Sequence, residues 1–193
     1  MATVTETSVQ ANPIESPSDF EPEGLYEFID ETFVEKTVSA LSIAIANILL
    51  RWLGNYSLDN RLGSAWGEML FRLRSLPRLD RRPDLAFVSN QSWPIDKLPP
   101  RTAAWEVVPD LAVEVVSPTN RTYLDEKKID DYFRAGTKAV WVIFPEAAKI
   151  YVYGSPKAAT ILTRGDTLDA SPVIPGFRFE LDALFGEPIA EDA

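Results

Sequence analysis

The sequence predicts an α/β fold, a mixed β-sheet flanked by α-helices in one domain. Three observations carry that expectation. Leu111-Ala112-Val113-Glu114-Val115-Val116 and Lys138-Ala139-Val140-Trp141-Val142-Ile143-Phe144 are short apolar runs rich in β-branched and aromatic residues, as strands require. An amphipathic segment from about Tyr123 to Ala135 lies between them, so a helix crosses between the strands near 113 and 141. A chain of 193 residues with 46% hydrophobic content is long enough to bury one sizeable core.

The elements follow in order. Residues 1–22 are rich in Thr, Ser, Pro and Glu and read as a disordered or loosely attached acidic arm. The folded domain is expected over residues 23–185, with a tail at 186–193. Residues 24–36 alternate apolar and polar around Asp30-Glu31, which suggests a hairpin, or a short helix followed by a strand. Residues 38–56 form the strongest helix candidate, with Leu41, Ile45, Ile48, Leu49 and Trp52 at helical spacing and Gly54-Asn55 as a stop. Strands are expected at 64–74 and 82–90. Residues 91–108, with two tryptophans and three prolines, read as an ordered loop. A strand at 110–117, the loop Ser117-Pro118-Thr119-Asn120 and the crossover helix come next, and Gly136 ends that helix. Strands at 138–144, 148–153 and 158–163 follow, with a turn at Pro145-Glu146. The last part holds a turn at Pro175-Gly176-Phe177 and a short apolar piece ending at Phe185.

The composition excludes several chemistries. There is no cysteine, hence no disulfide framework, zinc–thiolate site or cysteine nucleophile. There is no histidine, hence no Ser-His-Asp triad and no histidine general base. Any metal must be held by oxygen ligands, which favours Mg²⁺, Mn²⁺ or Ca²⁺. The longest apolar stretch, Leu41 to Leu53, is broken by Ser42, Asn47 and Arg51 and is too short to span a membrane. No secretory signal is visible, so a cytoplasmic location is expected.

The net charge of −10 is unevenly spread. Residues 1–35 hold nine acids and no Lys or Arg, whereas residues 36–150 hold sixteen Lys/Arg against thirteen acids. Within the basic section, Arg72, Arg74, Arg78, Arg81 and Arg82 crowd together. They read either as a phosphate-contacting patch or as a solvated arginine-rich hairpin.

One carboxylate stands out. Glu114 lies inside an apolar strand, where an acid is costly unless it is paired, neutralised or bound to a metal. Asp84 opens the upstream strand after Pro83. By itself it reads as a turn or strand-start aspartate, and the alternative for Glu114 is the partner of a buried arginine or of backbone donors. Asp110 shares a face with Glu114 but sits at the strand entrance, so a structural role is expected for it. Lys128 falls on the packed face of the helix with Leu124, Tyr132 and Ala135. Lys127 points about 100° away, where it can pair with Asp130 or Asp131 at the surface. Two carboxylates on neighbouring strands plus a lysine suit metal-assisted phosphodiester cleavage.

These residues carry a family resemblance. Pro83-Asp84, then Pro109 to Pro118 (Pro-Asp-Leu-Ala-Val-Glu-Val-Val-Ser-Pro), then Lys128 with Tyr132, Ala135-Gly136 and Trp141, resemble the Uma-type family of restriction endonucleases within the PD-(D/E)XK nuclease superfamily. The resemblance covers roughly residues 24–155. It implies a restriction-endonuclease-like core, DNA as partner, Mg²⁺ as cofactor with Mn²⁺ as substitute, and cleavage as a homodimer, since two strands need two sites. It implies Asp84, Glu114 and Lys128 as the catalytic set and Asp84 and Glu114 as metal ligands. The superfamily lysine stands two residues after the second acid. Val116 occupies that position here, and Lys128 on the following helix takes its place. The competing readings are a non-catalytic DNA-binding or assembly module that keeps the fold, and a hydrolase of another phosphoester. Trp93 and Trp105 are read as exposed, either as loop anchors or as an interface.

Overall fold

The computed structural model of the chain describes residues 22–75, 77–116 and 126–186. Residues 1–21 of the expected arm, most of the expected tail, the Ser117–Asn120 loop and the first residues of the crossover helix lie outside the described residues. Strands β1 (Tyr26–Ile29) and β2 (Thr32–Glu35) form a tight hairpin. Its two turn residues, Asp30 and Glu31, have φ of 47° and 62°, the left-handed pair that matches the twist of a two-residue hairpin loop. Helix α1 (Ala40–Asp59) starts at Ser39, whose hydroxyl accepts the Ser42 amide while the Ser42 hydroxyl accepts the Ser39 amide. That reciprocal cap satisfies two otherwise orphaned N–H groups.

The expected strand over 64–74 is two strands in two sheets. β3 (Gly63–Gly67) joins the larger sheet, and β4 (Phe71–Ser75) joins a four-stranded sheet with β5 (Arg78–Arg81) and the β1–β2 hairpin. The chain steps between sheets just after Gly67, at Glu68, whose φ is 50°. The expected strand over 82–90 is shortened to β6 (Leu85–Ser89), because Pro83 cannot donate to a ladder and separates β5 from β6.

β7 (Leu111–Val115), β8 (Ala139–Phe144), β9 (Lys149–Ser155) and β10 (Ala158–Thr163) complete the larger sheet, in the order β10-β9-β8-β7-β6-β3. β7 and β8 run parallel and the other pairs antiparallel, so the sheet is mixed. Helix α2 (Glu126–Ala135) makes the crossover that the parallel pair requires, and Gly136, at φ 111°, follows its end. A small hairpin, β11 (Thr167–Asp169) with β12 (Arg178–Glu180), and the short α3 (Leu181–Phe185) close the described chain. Among the described residues no helix is long and apolar enough to cross a membrane.

Both sheet faces are covered, which is why the central strands read as nearly continuous apolar runs. One core packs Leu85, Phe87, Leu111, Val113, Trp141 and Ile143 against α1, α3 and the small hairpin. The other packs Ala86, Val88, Ala112, Val140 and Val142 against Ile129 and Tyr132 of α2, Phe71 of β4 and Trp105. Trp105 is 3% exposed, contrary to its reading as an exposed residue. It stacks on Phe71 and meets Trp66 and Trp93 edge-on, and its amide and carbonyl bond to β4 and its approach. The tryptophans anchor the 91–108 loop.

Candidate active site

β6 pairs antiparallel with β7 so that Leu85 lies opposite Val113. The same register sets Asp84 across from Glu114. With a period of two, both side chains leave the sheet on the α2 side, with Ala86 and Ala112. Asp84 is buried; its Oδ2 accepts the Val115 amide at 2.6 Å and its Oδ1 lies 2.8 Å from Lys36 Nζ.

Glu114 is buried as well. Lys128 and Tyr132 are four residues apart on α2 and therefore project together, and both reach it. Tyr132 donates its hydroxyl to Oε1 at 2.7 Å, and Lys128 Nζ lies 2.9 Å from Oε2. Burial pushes the Glu114 carboxyl above its ordinary range, Lys128 and Lys36 oppose that, and Asp84 and Glu27 add to it. For Lys128, burial alone favours the neutral amine, but the Glu114 and Glu27 carboxylates outweigh it and hold the ammonium above its usual range. Burial, then the adjacent Glu114 charge, raises the Tyr132 phenol, so it stays a donor.

The structure thus brings Asp84, Glu114 and Lys128 together, and adds residues that sequence reasoning missed. Glu27 of β1 takes Lys128 Nζ at 3.0 Å and the Arg82 amide at 2.9 Å on Oε1, and Arg81 at 2.9 Å on Oε2. Burial would raise its carboxyl, yet Lys128, Arg81 and the Arg82 amide bring it down to about 2. Arg81 also reaches Asp131 of α2 at 2.5 Å, which ties the small sheet to the helix. Lys36 Nζ lies 2.9 Å from Glu68 Oε2 and from the Arg82 carbonyl oxygen, besides Asp84. Burial and the neighbouring Asp84 raise the Glu68 carboxyl against the pull of Lys36. One signal was available: Lys36 is the first basic residue after thirty-five without one, whereas Glu27 fills an ordinary polar position in the alternation of residues 24–36. Nothing in the sequence marked Glu68.

Other expectations need correction. Lys127 is half exposed, as the helix phase requires, but it pairs with Asp30 of the hairpin turn; Asp130 takes Arg134 and Asp131 takes Arg81. Four of the five clustered arginines are engaged within the fold, and the fifth, Arg74, is exposed and donates to the Pro77 carbonyl. Arg72 and Arg78 both clamp the fully buried Asp80, Arg81 is bound inside, and Arg82 donates to the carbonyls of Tyr26 and Glu68. Asp110, by contrast, has the structural role expected of it: it accepts the Ser89 amide and the Ser92 hydroxyl, and it pairs with Lys138.

The acids offer only oxygen donors, and the adjacent Asp84 and Glu114 fit a hard divalent cation by donor type. Among the described residues no three acidic side chains form a ready-made cation cage. Their charge is met by Lys36, Lys128 and Arg81.

The family model of Uma2, described as "Putative restriction endonuclease", matches residues 13–183. No curated protein matches the chain. Among solved structures the chain is similar to the crystal structure of "a putative nuclease belonging to DUF820" from Anabaena variabilis ATCC 29413, with a TM-score of 0.74, 17% identity, and coverage of 87% of this chain and 93% of that one. At that identity the likeness concerns the fold, and it agrees with the mixed sheet flanked by helices that the sequence predicts. Since the family model spans nearly all of the described fold, the chain belongs to the Uma2 family of nuclease-like proteins.

Proposed function

We propose that the protein is a Mg²⁺-dependent DNA endonuclease, with Mn²⁺ able to substitute, that hydrolyses phosphodiester bonds at Asp84, Glu114 and Lys128. One observation carries the reading: two buried carboxylates stand opposite each other on adjacent strands, with an ammonium 2.9 Å from one of them. Asp84 and Glu114 would hold the cation. When bound there, the cation supplies a Lewis acid for a phosphoryl oxygen and lowers the pKa of a water. Lys128 stays charged at neutral pH, so it offsets developing negative charge and orients a water; it does not take a proton. Tyr132 fixes the Glu114 carboxylate by donating to Oε1, leaving Oε2 for the charged partner. Glu27, locked by Arg81 and the Arg82 amide, gives Lys128 a second carboxylate partner besides Glu114. A homodimer would place one such site on each strand of a duplex.

A second reading has its own support. Lys36, Lys128 and Arg81 already satisfy the acids, and Val116 stands where the superfamily lysine is expected. On that reading the chain is a non-catalytic DNA-binding or assembly module that keeps the nuclease fold.

Nicking of supercoiled plasmid separates the two. The nuclease reading expects relaxation that needs Mg²⁺ or Mn²⁺ and stops with chelator. Asp84→Asn and Glu114→Gln should each slow it by about a hundredfold or more. Metal-independent nicking, or equal rates in the variants, would refute the site assignment. No nicking by the intact protein would favour the second reading.

A further inference from the structure

Lys36 makes three contacts of one kind. Its ammonium lies 2.8 Å from Asp84 Oδ1, 2.9 Å from Glu68 Oε2 and 2.9 Å from the Arg82 carbonyl oxygen. Two carboxylates and a carbonyl are the oxygen set that a hard divalent cation takes. The side chain is only 11% exposed, so the lysine is held in this nest and is not trailing in solvent. The nest is built from three places: Lys36 follows the β1–β2 hairpin, Glu68 sits at the left-handed bend between the two sheets, and Asp84 opens β6. The bend aims Glu68 as well as redirecting the chain. Arg82 reinforces it by donating to the Glu68 carbonyl at 2.6 Å.

We propose that Lys36 is a tethered counter-cation, a positioning residue whose ammonium and a divalent cation compete for Asp84. The inference rests on the metal role of Asp84 given above. With Lys36 in place, Asp84 is held ready and its charge is balanced. A divalent cation that takes Asp84 must draw it away from the ammonium, or the lysine must swing toward Glu68. Lys36 therefore sets how tightly the site takes metal, without touching the reacting atoms. An ammonium and a divalent cation on the same carboxylate weaken one another's hold, because like charges repel strongly where water is excluded.

Mn²⁺ binding to the intact protein, followed by electron paramagnetic resonance of the free ion, tests this without any cleavage assay. Lys36→Gln removes the charge but keeps two N–H donors for the nest, and Lys36→Arg keeps the charge. The expectation is Mn²⁺ binding about tenfold tighter in Lys36→Gln and near wild type in Lys36→Arg. Circular dichroism confirms that each variant is folded; Lys36→Met serves if the glutamine variant is not. Equal affinity in the wild type and in folded neutral variants would overturn the competition. So would equal tightening in Lys36→Arg, since the effect would then be structural. Asp84→Asn separates the premise: if it leaves Mn²⁺ binding unchanged in both the wild-type and Lys36→Gln backgrounds, the metal role of Asp84 fails, whatever Lys36 does.

Discussion

Replacing Lys128 by Met tests the physical account of the site more sharply than an activity assay. The substitution keeps most of the side-chain volume and removes one charge shared by two buried acids. The two acids are not equally exposed to the loss. Glu27 retains Arg81 and the Arg82 amide, whereas Glu114 retains the Tyr132 hydroxyl as its contact. Breaking a buried pair by removing one partner costs about 3–5 kcal/mol, because a charge is left without compensation. In a chain of this size that lowers the melting temperature by roughly 6–20 °C. The loss must also depend on pH. The Glu114 carboxyl already lies above its ordinary value of 4.5 in the folded state, and Lys128 is the largest charge holding it down. Without Lys128 it rises further and takes up a proton on folding. A carboxyl raised on folding stabilises below its unfolded value, and that stability is lost as pH rises through the folded one. The gap between wild type and Lys128→Met should therefore be smallest near pH 5 and widen toward pH 8. Adding Glu114→Gln removes the stranded charge, so the double variant should be more stable than Lys128→Met alone at pH 8. Urea melts across this range measure all of it, with Lys127→Met as a control expected to melt like wild type. A Lys128→Met protein whose midpoint matches wild type at pH 8, or whose deficit does not change with pH, would refute the reasoning.

Two further outcomes follow from the same structure. Glu27, at about 2 against 4.5 when free, contributes roughly 3 kcal/mol that is present above pH 4.5 and lost as pH falls toward 2; in Glu27→Gln this acid-limb loss should vanish, and stability curves parallel to wild type between pH 2 and 5 would contradict the assignment. At Gly63 an added Cβ would lie 2.2 Å from the Val88 carbonyl oxygen and 2.8 Å from the Phe87 ring, with φ at 155°; Gly63→Ala should open the β3–β6 pairing and cost more than about 3 kcal/mol, read by thermal unfolding, and a near-native melting temperature would show that the edge strand can shift.

The larger sheet was legible because its central strands are short, apolar and separated by turn residues, and because a helix phase lies between two of them. The same phase separated the largely covered Lys128 from half-exposed Lys127, since a helix turns about 100° per residue. The apolar flanks of Glu114 marked it for the same reason that burying it is costly. The split between β3 and β4 was not legible, because residues 64–74 read as one strand and only the left-handed backbone at Glu68 divides it. Glu68 stayed hidden, and the signal at Lys36 carried no role, because both roles depend on where that bend and the hairpin fall in three dimensions. The arginine cluster stayed open between two readings, because the pairing of Arg72 and Arg78 with the buried Asp80 is a tertiary fact.

The way the site is assembled bears on how the chain folds. Its charged groups come from β1, the segment after β2, the bend after β3, the end of β5, the head of β6, the end of β7 and α2. No two neighbouring elements suffice to neutralise it, and each acid that loses water before its cation arrives raises the energy of a partly folded chain. Closing such distant contacts costs loop entropy before they return any stability. The charge cluster is therefore expected to close late, after the sheet and its apolar faces are in place. Damage to it should shorten the lifetime of the folded protein while leaving the rate of reaching that state nearly unchanged, and folding and unfolding rates of Glu27→Gln against urea would check this.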